Sequence, residues 1–293
     1  MGLSDPSNIS ANRGNAVHKA LELAARYKLA VQNGEPHFSE DETGISWSTT
    51  SFDYEKALKV GYDFYVSKSP HLIWTDKDWD ICKKLLNKTI SWYDGEFDPL
   101  KRIVIEPEQY FELELPWAWA KDENGNQMKI KGTLDLVLHL GEDAIELVDF
   151  KTGRRWDWAT NEEKTYAKLI KDFQLSLYYY ALCIKYPDKK KYVTILWSND
   201  GPFSLPFSKK NDEDIEKSLK KAYDKIVKTV IPKRALNKSC GFCNFSKEIN
   251  EESGKSMCDH IHNEVTQIGL EKVIKKYTDG KDVKKYTGGG RGN

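Results

Sequence analysis

From Glu108 the apolar residues stop recurring every three or four positions and begin to alternate, and this change of period constrains the fold more than any other feature of the chain. Phe111, Leu113 and Leu115 alternate with Glu112 and Glu114, the pattern of a strand with one face buried. Asn124-Gly125 supplies a hairpin turn, and the alternation resumes from Met128 to Leu140. A second turn at Gly141-Glu142-Asp143 leads into a strand over Ala144–Lys151. Three successive antiparallel strands have an apolar face that helices must cover.

The flanking sequence supplies those helices. A helix is expected from about Gly14 to Val31, capped by Ser10 or Asn12, with Val17, Leu21, Ala24 and Ala25 at helical spacing. Residues 35–50 read as loop. Two aromatic-rich helices follow, near 53–66 and 76–93, holding Tyr54, Tyr62, Phe64, Trp79 and Trp92, and they read as a helical insertion over about 50–100. After the strands come a long helix near 161–185, a strand at Tyr192–Trp197 and a basic amphipathic helix near 211–230. The order is that of a layered α/β domain.

Composition excludes several classes. No apolar run approaches the roughly 18 residues of a membrane span, and the first 30 residues lack a basic start followed by an apolar block. Five cysteines, an odd number, do not form a disulfide framework, so a reducing, cytoplasmic setting is expected. The net charge of zero conceals two unlike halves: residues 1–150 hold 16 Lys+Arg against 26 Asp+Glu, and residues 151–293 hold 29 against 19. Early acidic ligands and a later phosphate-binding surface are compatible with that division, as are unevenly distributed solvated faces.

Four features carry the chemistry: His18 on the first helix, Asp135 in Gly132-Thr133-Leu134-Asp135, Asp149-Phe150-Lys151 at the end of the third strand, and Gln174 with Tyr178 on the next helix. Asp149 and Lys151 are two apart and share a sheet face, which Asp135 can approach from the neighbouring strand. Two carboxylates suit Mg²⁺ or Mn²⁺, and a neutral His18 nitrogen biases the set towards Mn²⁺. Hydrolysis of a phosphodiester needs such an arrangement, with Lys151 orienting a water and stabilising developing charge. Gln174 and Tyr178, four apart, lie on one helical face.

Taken in this order the residues resemble the PD-(D/E)XK nuclease superfamily, and within it the RecB-like branch that includes phage exonucleases and CRISPR-associated RecB-like nucleases. The resemblance rests on Gly14-x-x-x-His18, Gly132-x-x-Asp135, Asp149-x-Lys151-Thr152-Gly153 and Gln174-x-x-x-Tyr178, over about residues 12–200. It implies a restriction-endonuclease-like core, a mixed sheet flanked by helices. It also implies that His18, Asp135, Asp149 and the Phe150 carbonyl bind metal, that Lys151 is catalytic, and that Gln174 and Tyr178 support the site and its DNA. The activity implied is that of a Mg²⁺- or Mn²⁺-dependent deoxyribonuclease. An exonuclease acting on DNA ends or single strands in recombination, repair or phage DNA metabolism is the first reading. A catalytically silent DNA-binding module of the same fold and an endonuclease of a restriction or adaptation system are the alternatives. The chain contains no helicase motif, so coupling to unwinding would come from a helicase or recombination partner.

Members of this branch often carry an iron-sulfur cluster with one cysteine upstream of the histidine helix, and this chain departs from that pattern. Its early cysteine is Cys82, and Cys240, Cys243 and Cys258 come late, followed by His260. The late set has the ligand types of a tetrahedral Zn²⁺ site, or of three cluster ligands completed by Cys82; unliganded thiols are the third alternative. Arg154, Arg155 and Trp156 follow the third strand and can contact phosphates and an unpaired base, the alternative being that the tryptophan only packs. The domains expected are a nuclease domain over 1–235, a Cys/His segment over 236–265, and a C-terminal helix with a glycine-rich disordered tail over 266–293.

Overall fold

A computed structural model describes residues 8–227 apart from 41–43, 49, 71, 123, 158–161 and 208–209, together with 263, 267, 268 and 272. Cys240, Cys243, Cys258, His260 and the expected boundary at 235 lie outside the described residues.

Helix α1 (Ile9–Gln32) is followed by a hairpin of β1 (His37–Glu40) and β2 (Ile45–Ser48), then by α2 (Tyr54–Lys68) and α3 (Asp76–Ser91). Strands β3 (Val104–Glu114), β4 (Lys129–His139) and β5 (Ala144–Lys151) form the antiparallel meander read from the sequence. After the short pair β6 (Trp156–Asp157) and β7 (Glu162–Glu163), the chain runs through α4 (Tyr166–Leu169) and α5 (Phe173–Lys185) to β8 (Lys190–Trp197). Strand β9 (Gly201–Leu205) and α6 (Lys210–Val227) follow. The central sheet has the order β3-β4-β5-β8-β9 and is mixed, because β5 and β8 are parallel while its other pairs are antiparallel. A parallel pair needs a crossover, and α5 supplies it.

Helices cover both faces. On one, Ala20, Leu23 and Leu58 of α1 and α2 and Leu86 of α3 pack against Leu136, Leu138, Val148 and Phe150. On the other, Leu175 and Leu182 of α5 pack against Leu147, Val193 and Ile195. Strand β5 is therefore buried from Ile145 to Phe150, and its apolar residues are divided between the two cores. The aromatic insertion is core, as expected: Tyr62 meets Trp74 and Trp79 edge-on at 4.9 and 5.2 Å. No helix among the described residues is long and apolar enough to cross a membrane.

Four expectations are corrected. The cap of α1 is Asn8, whose side chain accepts from the Ala11 amide, whereas Asn12 is buried inside the helix and bonds Ser69 Oγ at 2.7 Å. Residues 35–50 are not merely loop, since Phe38 and Trp47 pair across β1–β2 and stack at 6.1 Å. The long helix near 161–185 is divided: Thr165 precedes the single turn α4, and the Asp172 carboxylate then accepts from the Gln174 and Leu175 amides to start α5. Helical spacing of apolar residues continues across such a break, so periodicity alone does not reveal it. Strand β9 was not foreseen, being short and containing Pro202, which an edge strand tolerates.

Gly61 marks where the insertion presses most closely on α1. A Cβ there would lie 2.6 Å from the Ala16 carbonyl oxygen and 3.1 Å from Lys19 Cβ. Gly61→Val should therefore cost about 1–3 kcal/mol by overpacking and lower the thermal midpoint by several degrees. Gly153→Ala, where an added Cβ meets nothing within 4 Å, should leave it nearly unchanged; equal melting of the two variants would contradict the contact.

Candidate active site

The site forms where β4 and β5 part. Their ladder runs from His139↔Ile145 to Leu136↔Val148 and stops there. The next residues are Asp135 on one strand and Asp149 on the other. Asp135 Oδ2 accepts the Phe150 amide at 2.8 Å, standing in for the backbone acceptor that the diverging strand no longer provides. Asp149 is fully buried; its Oδ1 receives Lys151 Nζ at 2.8 Å, while Oδ2 has no hydrogen-bond partner.

Helix α1 brings His18 to the same place. Its Nδ1 lies 3.5 Å from Asp135 Oδ2, and its ring meets Phe150 edge-on at 6.3 Å. From the opposite side α5 presents Gln174, whose Nε2 donates to the Tyr178 hydroxyl at 2.9 Å. Two motif glycines allow these approaches. A Cβ at Gly14 would sit 2.6 Å from Thr152 Oγ1, directly beyond Lys151, and one at Gly132 would sit 2.6 Å from the Phe111 ring across β3–β4.

Burial dominates the electrostatics. It pushes the Asp135 and Asp149 carboxyls up to about 6 against the opposing pull of Lys151. It also lowers His18 to about 4, helped by Lys151, so the imidazole is neutral at neutral pH and able to act as a ligand. Tyr178 is shifted upward, first by burial and then by the charges of Asp149 and Asp135.

The donor set fits a hard divalent cation. Among the described residues no three His, Cys, Asp or Glu side chains close into a ligand cage. The buried, unpartnered Oδ2 of Asp149 is nevertheless an acceptor awaiting a donor or a cation. An open set of one or two carboxylates, completed by water and substrate oxygens, is how Mg²⁺ is commonly held.

Two acids escaped the sequence reading. Glu22 lies one turn beyond His18, ion-paired to Lys19 at 3.0 Å and Arg26 at 2.7 Å. Glu108 falls between the pairs Pro107↔Leu136 and Gln109↔Leu134, opposite Asp135 in register, and its backbone adopts φ 40°. Burial, its hydrogen bond to Glu22 and that residue's charge raise the Glu108 carboxyl to about 8. The four-residue spacing from His18 could have revealed Glu22, whereas Glu108 is one of several acids in an alternating strand.

The expected DNA contacts divide. Arg154 is exposed. Arg155 is occupied within the protein, ion-paired to Glu163, bonded to the Lys164 carbonyl at 3.3 Å and lying over the Phe203 ring at 5.0 Å. Trp156 is half-buried in β6, paired with Glu163. Cys82 is fully buried, its thiol directed at the Arg13 carbonyl and raised to about 11, chiefly by burial.

The carboxylates make metal-free stability depend on pH. Their folded values lie above the unfolded value near 4, so the folded state holds protons that the unfolded chain has released, and stability falls as pH rises from about 4 through about 6. Asp149→Asn should therefore raise the thermal midpoint of metal-free protein at pH 7.5, and the gain should vanish below pH 4. A midpoint lowered at pH 7.5 would mean that the ion pair with Lys151 outweighs desolvation.

A search of the curated proteins finds no match. Among solved structures, a crystal structure from Eubacterium rectale described as "Putative exonuclease" is similar at a TM-score of 0.36 and 11% identity, covering 78% of this chain and 86% of its own. The family model of the PD-(D/E)XK nuclease superfamily matches residues 1–247, a span that includes the whole mixed sheet; the chain belongs to the PD-(D/E)XK nuclease superfamily.

Proposed function

We propose that the chain is a divalent-metal-dependent deoxyribonuclease that removes nucleotides from DNA ends or single strands, with residues 1–235 as its nuclease domain. Membership of the superfamily makes it a hydrolase acting on nucleic acids, in a family that generally uses divalent ions. The observation that carries the reading is the buried Asp149, one oxygen held by Lys151 and the other unpartnered, beside Asp135 at the parting of β4 and β5.

In this reading Asp149, Asp135, His18 and the Phe150 carbonyl hold the cation, whose chemistry is to neutralise phosphate charge and acidify water. Asp149 fixes the Lys151 ammonium by a charge-assisted bond, so the cation-bearing arm needs no reorganisation when a phosphodiester arrives. Lys151, half-exposed, orients the attacking water and stabilises negative charge as it develops on the phosphate. Gln174 holds the Tyr178 hydroxyl, which supports the carboxylates from the α5 side.

A time course on end-labelled single-stranded, blunt duplex and closed circular DNA with Mg²⁺ or Mn²⁺ tests the proposal. Progressive loss from ends with circles intact is expected; cut circles would make it an endonuclease, and no cleavage of any substrate would leave a silent DNA-binding module. Asp149→Ala should abolish turnover. Lys151→Ala should lower it by about 10²–10³ while Mn²⁺ binding persists, and loss of Mn²⁺ binding in that variant would contradict the division of roles.

A further inference from the structure

A cleft of about 620 Å³ has Asp157, Lys164, Lys168, Lys171 and Asp172 in its lining. Its position follows from chain path. Asp157 belongs to the segment leaving Lys151, and Asp172 caps the helix that carries Tyr178 six residues later. Six helical residues rise about 9 Å along the axis, so the helix that carries Gln174 and Tyr178 begins at this cleft.

The lining is divided in charge. Lys168 is engaged by Glu162 at 2.8 Å and Asp157 at 3.6 Å, and the Asp172 carboxylate is used as the α5 cap. The ammonium groups of Lys164 and Lys171 have no ion pair among the described residues. Two exposed aromatic residues directly precede or follow lining residues in the chain. Phe173, at the first position of α5, is 43% exposed, and Tyr166, 40% exposed, leans on Phe203 at 5.9 Å. A phenylalanine so exposed costs apolar surface in water and belongs to neither core.

We infer that this cleft is a track for an unpaired DNA strand, with Lys164 and Lys171 on its phosphates and Phe173 stacked on a base. The inference rests on the nuclease reading and names its substrate class. Stacking on an aromatic ring requires a base freed from its partner, which a duplex does not offer, while the lysines supply backbone attraction without sequence preference. Phe173 therefore discriminates strand from duplex, and the lysines set affinity.

The test is binding of a fluorescent oligothymidylate and of a blunt duplex to the full chain in EDTA, followed by anisotropy across a range of salt. Lys164→Ala/Lys171→Ala should reduce the slope of log affinity against log salt for the oligothymidylate by about 1.4, two phosphate contacts' worth on a single strand. Phe173→Ala should weaken oligothymidylate binding roughly tenfold and lower the ratio of single-strand to duplex affinity. Tyr192→Ala, which removes an equally exposed ring from the far end of the sheet, should behave as wild type. Variants of Phe173 and the two lysines that bind as wild type does, or that lose strand and duplex affinity equally, would overturn the track. Binding is read without cleavage, so a protein that binds as expected yet cuts no DNA would refute the nuclease reading and leave the track standing.

Discussion

The structure turns on one hydrogen bond, from the Phe150 amide to the Asp135 carboxylate. Two neighbouring strands that separate leave a backbone donor without an acceptor inside the protein, and burying such a group unpaired costs about 1–3 kcal/mol. Asp135 resolves this with a side chain, so β4 can leave the ladder at Leu136 while β5 continues beside β8 to Lys151. The gap this creates is the candidate active site. A carboxylate that holds the strands in this parted geometry is also fixed in position, so the fold and the candidate site share an atom.

Close backbone approaches keep that gap from collapsing or widening. Gly14 places the start of α1 against Thr152, Gly61 places α2 against the Ala16 carbonyl, and Gly132 lies under the Phe111 ring. None of these three glycines has a left-handed backbone; each is required because a Cβ would meet its neighbour. The aromatic insertion thus acts on the site at one remove, holding α1 and with it His18. Phe111 covering Gly132 restores to the strand the packing that a missing side chain forfeits.

The charges are arranged at a cost. Asp135 and Asp149 are raised because burial penalises two anions more than Lys151 relieves them, and Glu22 and Glu108 extend the acidic group along α1 and β3. Elsewhere buried acids are satisfied: Glu146, on the same strand as Asp149, is held by Arg102 at 2.9 Å and Thr194 at 2.6 Å. The contrast between the two acids lies within one strand. Glu146 has a partner for both oxygens, whereas Asp149 keeps one buried oxygen without a hydrogen-bond partner.

The sequence by itself determined the meander, the helices on either side and the order of His18, Asp135, Asp149, Lys151, Gln174 and Tyr178, because strand and helix periods are local and survive in the residue pattern. It also placed Asp149 and Lys151 on one sheet face, as the 2.8 Å ion pair shows. What it left undecided were contacts between segments distant along the chain. The β1–β2 hairpin, the break before α5 and the edge strand β9 are too short for a period to emerge. Glu22 and Glu108 became neighbours, 86 positions apart, only when α1 packed across β3. Arg155 looked free for DNA until Glu163 and Phe203 were brought to it. Tertiary structure alone decided which charges are spent within the protein and which remain for a ligand, because pairing depends on distances that packing sets.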